Sequence, residues 1–134
     1  MLSDQQFIKE FEQLSLNPAH FNHLGHLRIT WLYLNQHPIE QATEKVVSGI
    51  RQYATSLGAP DKFHMTMTRA LVTIIANRCQ PIANHSWNEF IEANQDLVND
   101  AKALVGAYYS DAALESEIAR REFVQPDRKS FSNG

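Results

Sequence analysis

The chain has 134 residues, 43% of them apolar and 20% charged, with a net charge of −3 and a single cysteine. That length and apolar content suffice for one continuous core, which places the chain far from the composition of a disordered segment. One cysteine excludes an internal disulfide and a thiolate metal cluster, net acidity disfavours a nucleic-acid partner, and no stretch has the length and apolarity of a membrane span.

Ser3 followed three residues later by Gln6 is a capping pattern, and Phe7, Phe11 and Leu14 continue it at helical spacing. Asn17-Pro18 restarts the chain, because asparagine caps a helix and proline suits its first position; the stripe Leu24, Leu27, Trp31, Leu34 carries helix two to His37-Pro38. Helix three buries Val46, Ile50, Tyr53 and Leu57 and stops at Gly58. Asp61 is the expected cap of helix four, with an inner stripe of His64, Met67, Thr68, Leu71, Ile74 and Ile75 and a stop at Pro81. Ser86 with Glu89 is a second capping box, heading a short helix that buries Trp87, Phe90 and Ile91. Leu97, Ala101, Leu104 and Tyr108 form the next stripe, and a last helix runs from Ser110 to about Arg121 with Leu114 and Ile118 inward. No sustained period-two alternation occurs, so the fold class is all-α: a compact single-domain bundle of about five to seven helices over residues 1–128, with 129–134 a frayed tail.

Chemistry points first to the histidines. His20, His23 and His26 recur every three residues, and His64 falls within the apolar stripe of helix four, where an imidazole needs a partner. If helices two and four pack side by side, His23, His26 and His64 form a candidate site for a divalent transition metal such as zinc, iron, copper or nickel, with His26 and His64 as candidate catalytic groups. The spacing is weakly specific: the glutamate of the H-E-x-x-H motif is missing, and a His64 satisfied by a carbonyl or hydroxyl in the core is the competing reading. A metal-free pocket using histidine as acid or base is a third. Thr68, Arg69 and Arg128 are candidate ligand-binding residues, Arg28 and Arg69 a candidate anion clamp, and Thr66 is expected to bond back to its own helix. Cys79, with no activating base nearby, reads as a small buried hydrophobe.

Several motifs resemble those of a family of small, uncharacterised bacterial all-helical proteins: F-N-H-L-G-H-L at 21–27, F-H-M-T-M-T at 63–68, W-N-E-F-I-E-A-N-Q-D-L at 87–97, Y-Y-S at 108–110 and F-V-Q-P-D-R at 123–128. The resemblance covers most of the chain. It implies a stand-alone bacterial domain and directs attention to His23, His26, His64, Asp127 and Arg128, without supplying a mechanism.

The functional expectation is a histidine-lined metal or small-molecule site with enzymatic potential. Its alternative is a non-catalytic protein-interaction or homo-oligomerisation module presenting Tyr109, Phe123 and Phe131, with a homodimer as the simplest assembly. A helix-turn-helix over Ala54 to Arg78 is disfavoured by acidity and by its apolar recognition helix. The polar, amphipathic start of the chain lacks a signal-peptide pattern, so the expected location is the cytoplasm, with a small molecule as partner and neither nucleic acid nor membrane.

Overall fold

Ser3 accepts a hydrogen bond from the Gln6 amide at 3.1 Å and opens α1 (Asp4–Glu12), which turns Phe7 and Phe11 inward. In the computed structural model, which describes residues 3–79 and 86–131, seven further helices follow: α2 (His23–Gln36), α3 (Ile39–Ser56), α4 (Met65–Cys79), α5 (Trp87–Ala93), α6 (Gln95–Gly106), α7 (Asp111–Glu115) and α8 (Glu117–Arg121). The described residues form no strand, and none of their helices is long and apolar enough to cross a membrane. The all-α class is therefore correct. The helix number exceeds the expected range because Ser116 leaves helical geometry (φ −66°, ψ 148°) and divides the last helix in two, its hydroxyl capping α8 at the Ala119 amide.

Helix α2 occupies the centre and packs against α1, α3, α4 and α6. Its inward side is correspondingly wide: Leu27, Ile29, Thr30, Trp31, Leu32 and Tyr33 are all buried, whereas Leu24, expected to head a single stripe, is 39% exposed. A helix covered on several sides has no one apolar face for periodicity to reveal. Its start also differs from expectation. Pro18–His20 is a turn of 3-10 helix capped by Asn17, and α2 begins after a second cap, Asn22, whose side chain accepts from the Gly25 amide at 3.1 Å.

On α3, Ala42, Val46, Ile50 and Tyr53 are buried and Leu57 is exposed. In α6 the stripe breaks at Asp100, whose backbone (φ −139°, ψ 35°) interrupts the helix. The kink shifts the inward face by one residue, so Val105 and Tyr109 are fully buried instead of Leu104 and Tyr108. Trp87 and Phe90 of α5 meet Trp31 of α2 at 5.5 and 6.2 Å between ring centroids. Arg78 of α4 holds Asp96 of α6 through two bonds of 2.6 and 2.8 Å, a bidentate pair that draws the Asp96 carboxyl below its ordinary range. The side chain of Cys79 and the stop at Pro81 lie outside the described residues.

The ends of α1 and α3 are the same motif built from different residues. After α3, the amides of Gly58 and Ala59 donate to the carbonyls of Thr55 and Ala54, with Gly58 at φ +75°. After α1, the amides of Leu14 and Ser15 donate to Phe11 and Glu10, with Leu14 at φ +62°. Both are Schellman turns, which require a left-handed residue that glycine adopts without a Cβ penalty. Leu14 is 42% exposed, so little burial offsets its strain. Leu14→Gly is expected to stabilise the protein by about 1 kcal/mol, seen as a higher urea midpoint at unchanged slope.

Candidate functional site

The segment F-N-H-L-G-H builds the first wall of the site. A Cβ on Gly25 would fall 2.5 Å from the His20 backbone carbonyl oxygen, so only glycine lets the 3-10 turn close onto α2. That closure sets the Phe21 ring 4.4 Å from the His26 ring and 4.7 Å, edge on, from Tyr53 of α3. Gly49 works similarly from α3: a Cβ there would meet the Phe11 ring at 2.5 Å, and Phe11 stacks on Phe21 at 5.2 Å. The Tyr53 hydroxyl donates to the Leu16 carbonyl at 2.7 Å, fixing its ring against the chain that leaves α1.

Behind these rings lie two adjoining cavities that share His26, Ile50, Lys62 and Phe63. The outer, about 330 Å³, is walled by Phe21, Tyr53, Ala54 and Leu57. The inner, about 120 Å³, reaches Thr30, His64, Met67, Thr68 and Leu71. His26, His64 and Thr68 are thus brought to one place, while His23, Arg69 and Arg128 line neither cavity.

The histidines do not converge as a metal centre. Among the described residues, no group of three His, Cys, Asp or Glu side chains is placed to hold a metal ion. The reason is visible in their partners. His23 donates from Nε2 to the Leu97 carbonyl at 2.9 Å and His64 from Nε2 to the Leu114 carbonyl at 2.7 Å, contacts that turn the two rings toward α6 and α7. His64 further accepts from the Met67 amide at Nδ1, 3.1 Å away, and so caps α4 in the place expected for Asp61. Both ring nitrogens of His64 are committed within the fold, Nδ1 to the start of α4 and Nε2 to α7, in keeping with the satisfied-core reading.

His26 is different: of the three, only its ring carries no hydrogen bond to another protein group among the described residues. Burial lowers its pKa to about 4, and neighbouring His23 adds to the effect. The imidazole facing the cavities is therefore neutral at physiological pH.

Thr66 reaches out of its helix, contrary to expectation. Its fully buried hydroxyl donates to the Glu122 carbonyl at 2.8 Å and accepts from the Val124 amide at 3.2 Å, seating the chain after α8 on the first turn of α4. The rest of F-V-Q-P-D-R is equally tied. Tyr109 donates to the Val124 carbonyl at 2.6 Å, Asp127 accepts from the amide and hydroxyl of Ser110 at 2.7 and 2.6 Å, and the Arg128 amide donates to the Tyr108 carbonyl. These bonds from Ser110 hold the Asp127 carboxyl below the usual range. Phe131 stacks on Tyr108 at 4.3 Å, so the tail is still packed three residues past Arg128.

The proposed recruitment surface is consequently absent as such. Tyr109 is fully buried, Phe123 is half-buried with the Arg69 guanidinium 4.9 Å above its ring, and Phe131 is half-buried on Tyr108. Arg28 and Arg69 are not a clamp: Arg28 binds Asp4 at 2.9 Å and lies over Phe7, while Arg69 borders a groove between α3 and α4. Arg128 is exposed beside Asp127. Residue spacing missed Phe21, Tyr53, Lys62 and Phe63, although Phe21 and Phe63 each flank a histidine motif already singled out.

Comparison of the chain with protein-family models, with curated proteins and with solved structures returned no match. The resemblance of its motifs adds no activity, and function is read from the geometry alone.

Two measurements test this site. The folded pKa of His26 lies below its unfolded value near 6.5, so the unfolded chain binds the extra proton first. The stabilisation is complete above pH 6.5 and is lost as pH falls toward 4, by about 3 kcal/mol at most. His26→Phe is expected to flatten that part of the profile, read as the difference in urea midpoints between the two proteins at neutral and mildly acid pH. Thr66→Val leaves the Glu122 carbonyl and Val124 amide without their partner and is expected to cost about 1–3 kcal/mol, with early loss of protection at residues 122–124 in hydrogen exchange.

Proposed function

We propose that the cavity pair at His26 binds a small, largely apolar molecule carrying one hydrogen-bonding or anionic group. One observation carries this reading: a neutral imidazole without a hydrogen bond to the protein stands at the junction of two apolar cavities. The ring is half-buried against apolar walls and its nitrogens bond no protein group among the described residues, so they remain available to a ligand group that enters the cavities. The outer cavity has the volume of a small-ligand site, and its walls are aromatic and aliphatic with few polar groups, the usual pattern for such pockets.

Lys62 supplies the second recognition element. Its ammonium is exposed at the rim of both cavities and favours a ligand whose apolar body points inward and whose anionic end stays at the mouth. His26 offers either nitrogen as donor or acceptor. With a pKa near 4 it is a poor proton acceptor at neutral pH, so its part is to orient a hydroxyl, amide or carbonyl of the ligand. The reading is therefore of binding without a metal, with His64 and Thr68 forming the floor.

An anilinonaphthalene sulfonate dye has the required form, fused apolar rings with one anionic group. Its fluorescence is expected to rise saturably with the folded protein. Ala54→Phe, which fills the outer cavity from its wall, is expected to abolish the rise, and Lys62→Gln to weaken it several-fold at low salt. Dye binding that is indifferent to both substitutions, with thermal midpoints unchanged, sinks the assignment.

A further inference from the structure

On another face of α3 lies a larger groove, about 830 Å³, between α3 and α4. Two arginines border it, Arg51 from α3 and Arg69 from α4. Each guanidinium lies 4.9 Å over an aromatic ring, Arg51 over Phe63 and Arg69 over Phe123. Neither is paired with a carboxylate, and neither spends a guanidinium N–H on a hydrogen bond, among the described residues.

That combination is unlike the other arginines of the fold. Arg78 is committed to Asp96 and Arg121 to Glu117. A ring beneath a guanidinium fixes its plane and covers one face, yet leaves the N–H edges available, whereas a carboxylate partner would occupy them. Phe63 is itself buried, so the support under Arg51 is rigid. Two pre-oriented forks on facing helices, both open to solvent, form an arrangement suited to an oxyanion.

We propose that this groove binds a small polyanion, a di- or tricarboxylate or a phosphate compound, whose oxygens are held jointly by Arg51 and Arg69. Glu40 and Glu44 border the other end of the same groove. Glu44 precedes Arg51 by seven residues, about 10 Å along the helix, slightly more than the screening length at physiological salt. Their repulsion therefore bears little on a compact anion at the arginines. The two forks suit a short anion, and the site shares no ionisable group with the cavities at His26, although the Phe63 ring under Arg51 is a wall of both.

The test is isothermal titration of the full chain at low salt with inorganic pyrophosphate and, separately, with citrate. Binding of one or both is expected, and the tighter of the two assigns the ligand to the phosphate or the carboxylate source. Arg51→Gln and Arg69→Gln are each expected to weaken it at least about tenfold, the loss of one charged fork. Arg51→Lys, which keeps the charge over Phe63 but not the fork, is expected to fall between, and Glu44→Gln to bind as well as the parent or better. Should a glutamine variant fail to fold, Arg51→Lys and Arg69→Lys decide the matter, each expected to weaken binding. Absence of heat with both anions, or binding unchanged in every arginine variant, overturns the proposal.

Discussion

Everything in this fold is arranged around the desolvation of α2. A helix packed against four others has few places to put a polar group, and several of those it carries have been given separate solutions. Thr30 returns its hydroxyl to the His26 carbonyl at 2.8 Å, Tyr33 donates to Glu12 at 2.6 Å, and Arg28, itself largely buried, lies over Phe7 and reaches Asp4. The His26 ring has no such partner among the described residues. It is left neutral beside a cavity, and the difference between it and its neighbours is what makes the place a candidate.

How much of this was legible depended on how local the cause was. Ser3, the Ser86–Glu89 box and Gly58 act within four residues, and each stood in the sequence as it stands in the structure. Within α1 and α3 the inward faces followed from periodicity, but both stripes overran the helix ends: Leu14 and Leu57, expected inward, are exposed. Periodicity failed on α2, which is buried on several sides, and after Asp100, where one non-helical residue rotates everything downstream. Leu14 gave no sign of a left-handed turn, since leucine is rarely found in one.

The histidine motifs were visible, but their roles were set by partners far away in sequence. His64 finds its carbonyl fifty residues on and His23 seventy-four, separations that no local pattern encodes. What distinguished His26 was the absence of a partner, which spacing conveys even less. The aromatic walls around it were individually unremarkable phenylalanines and a tyrosine; their meaning comes from two glycines, Gly25 and Gly49, that let backbones and rings approach closely enough to enclose a space.

The bridge at Thr66 has a consequence for the order in which the molecule assembles. Its acceptor lies fifty-six residues downstream, so the first turn of α4 is not fully satisfied until the segment beyond α8 has arrived. Closing a loop of that length carries an entropic penalty before any contact returns it. The start of α4 and the strap from Tyr108 to Phe131 therefore belong to one cooperative unit: opening either strips buried hydrogen bonds from the other. Because His64 forms part of the floor of the inner cavity, that unit also sets how firmly the cavity is closed from below.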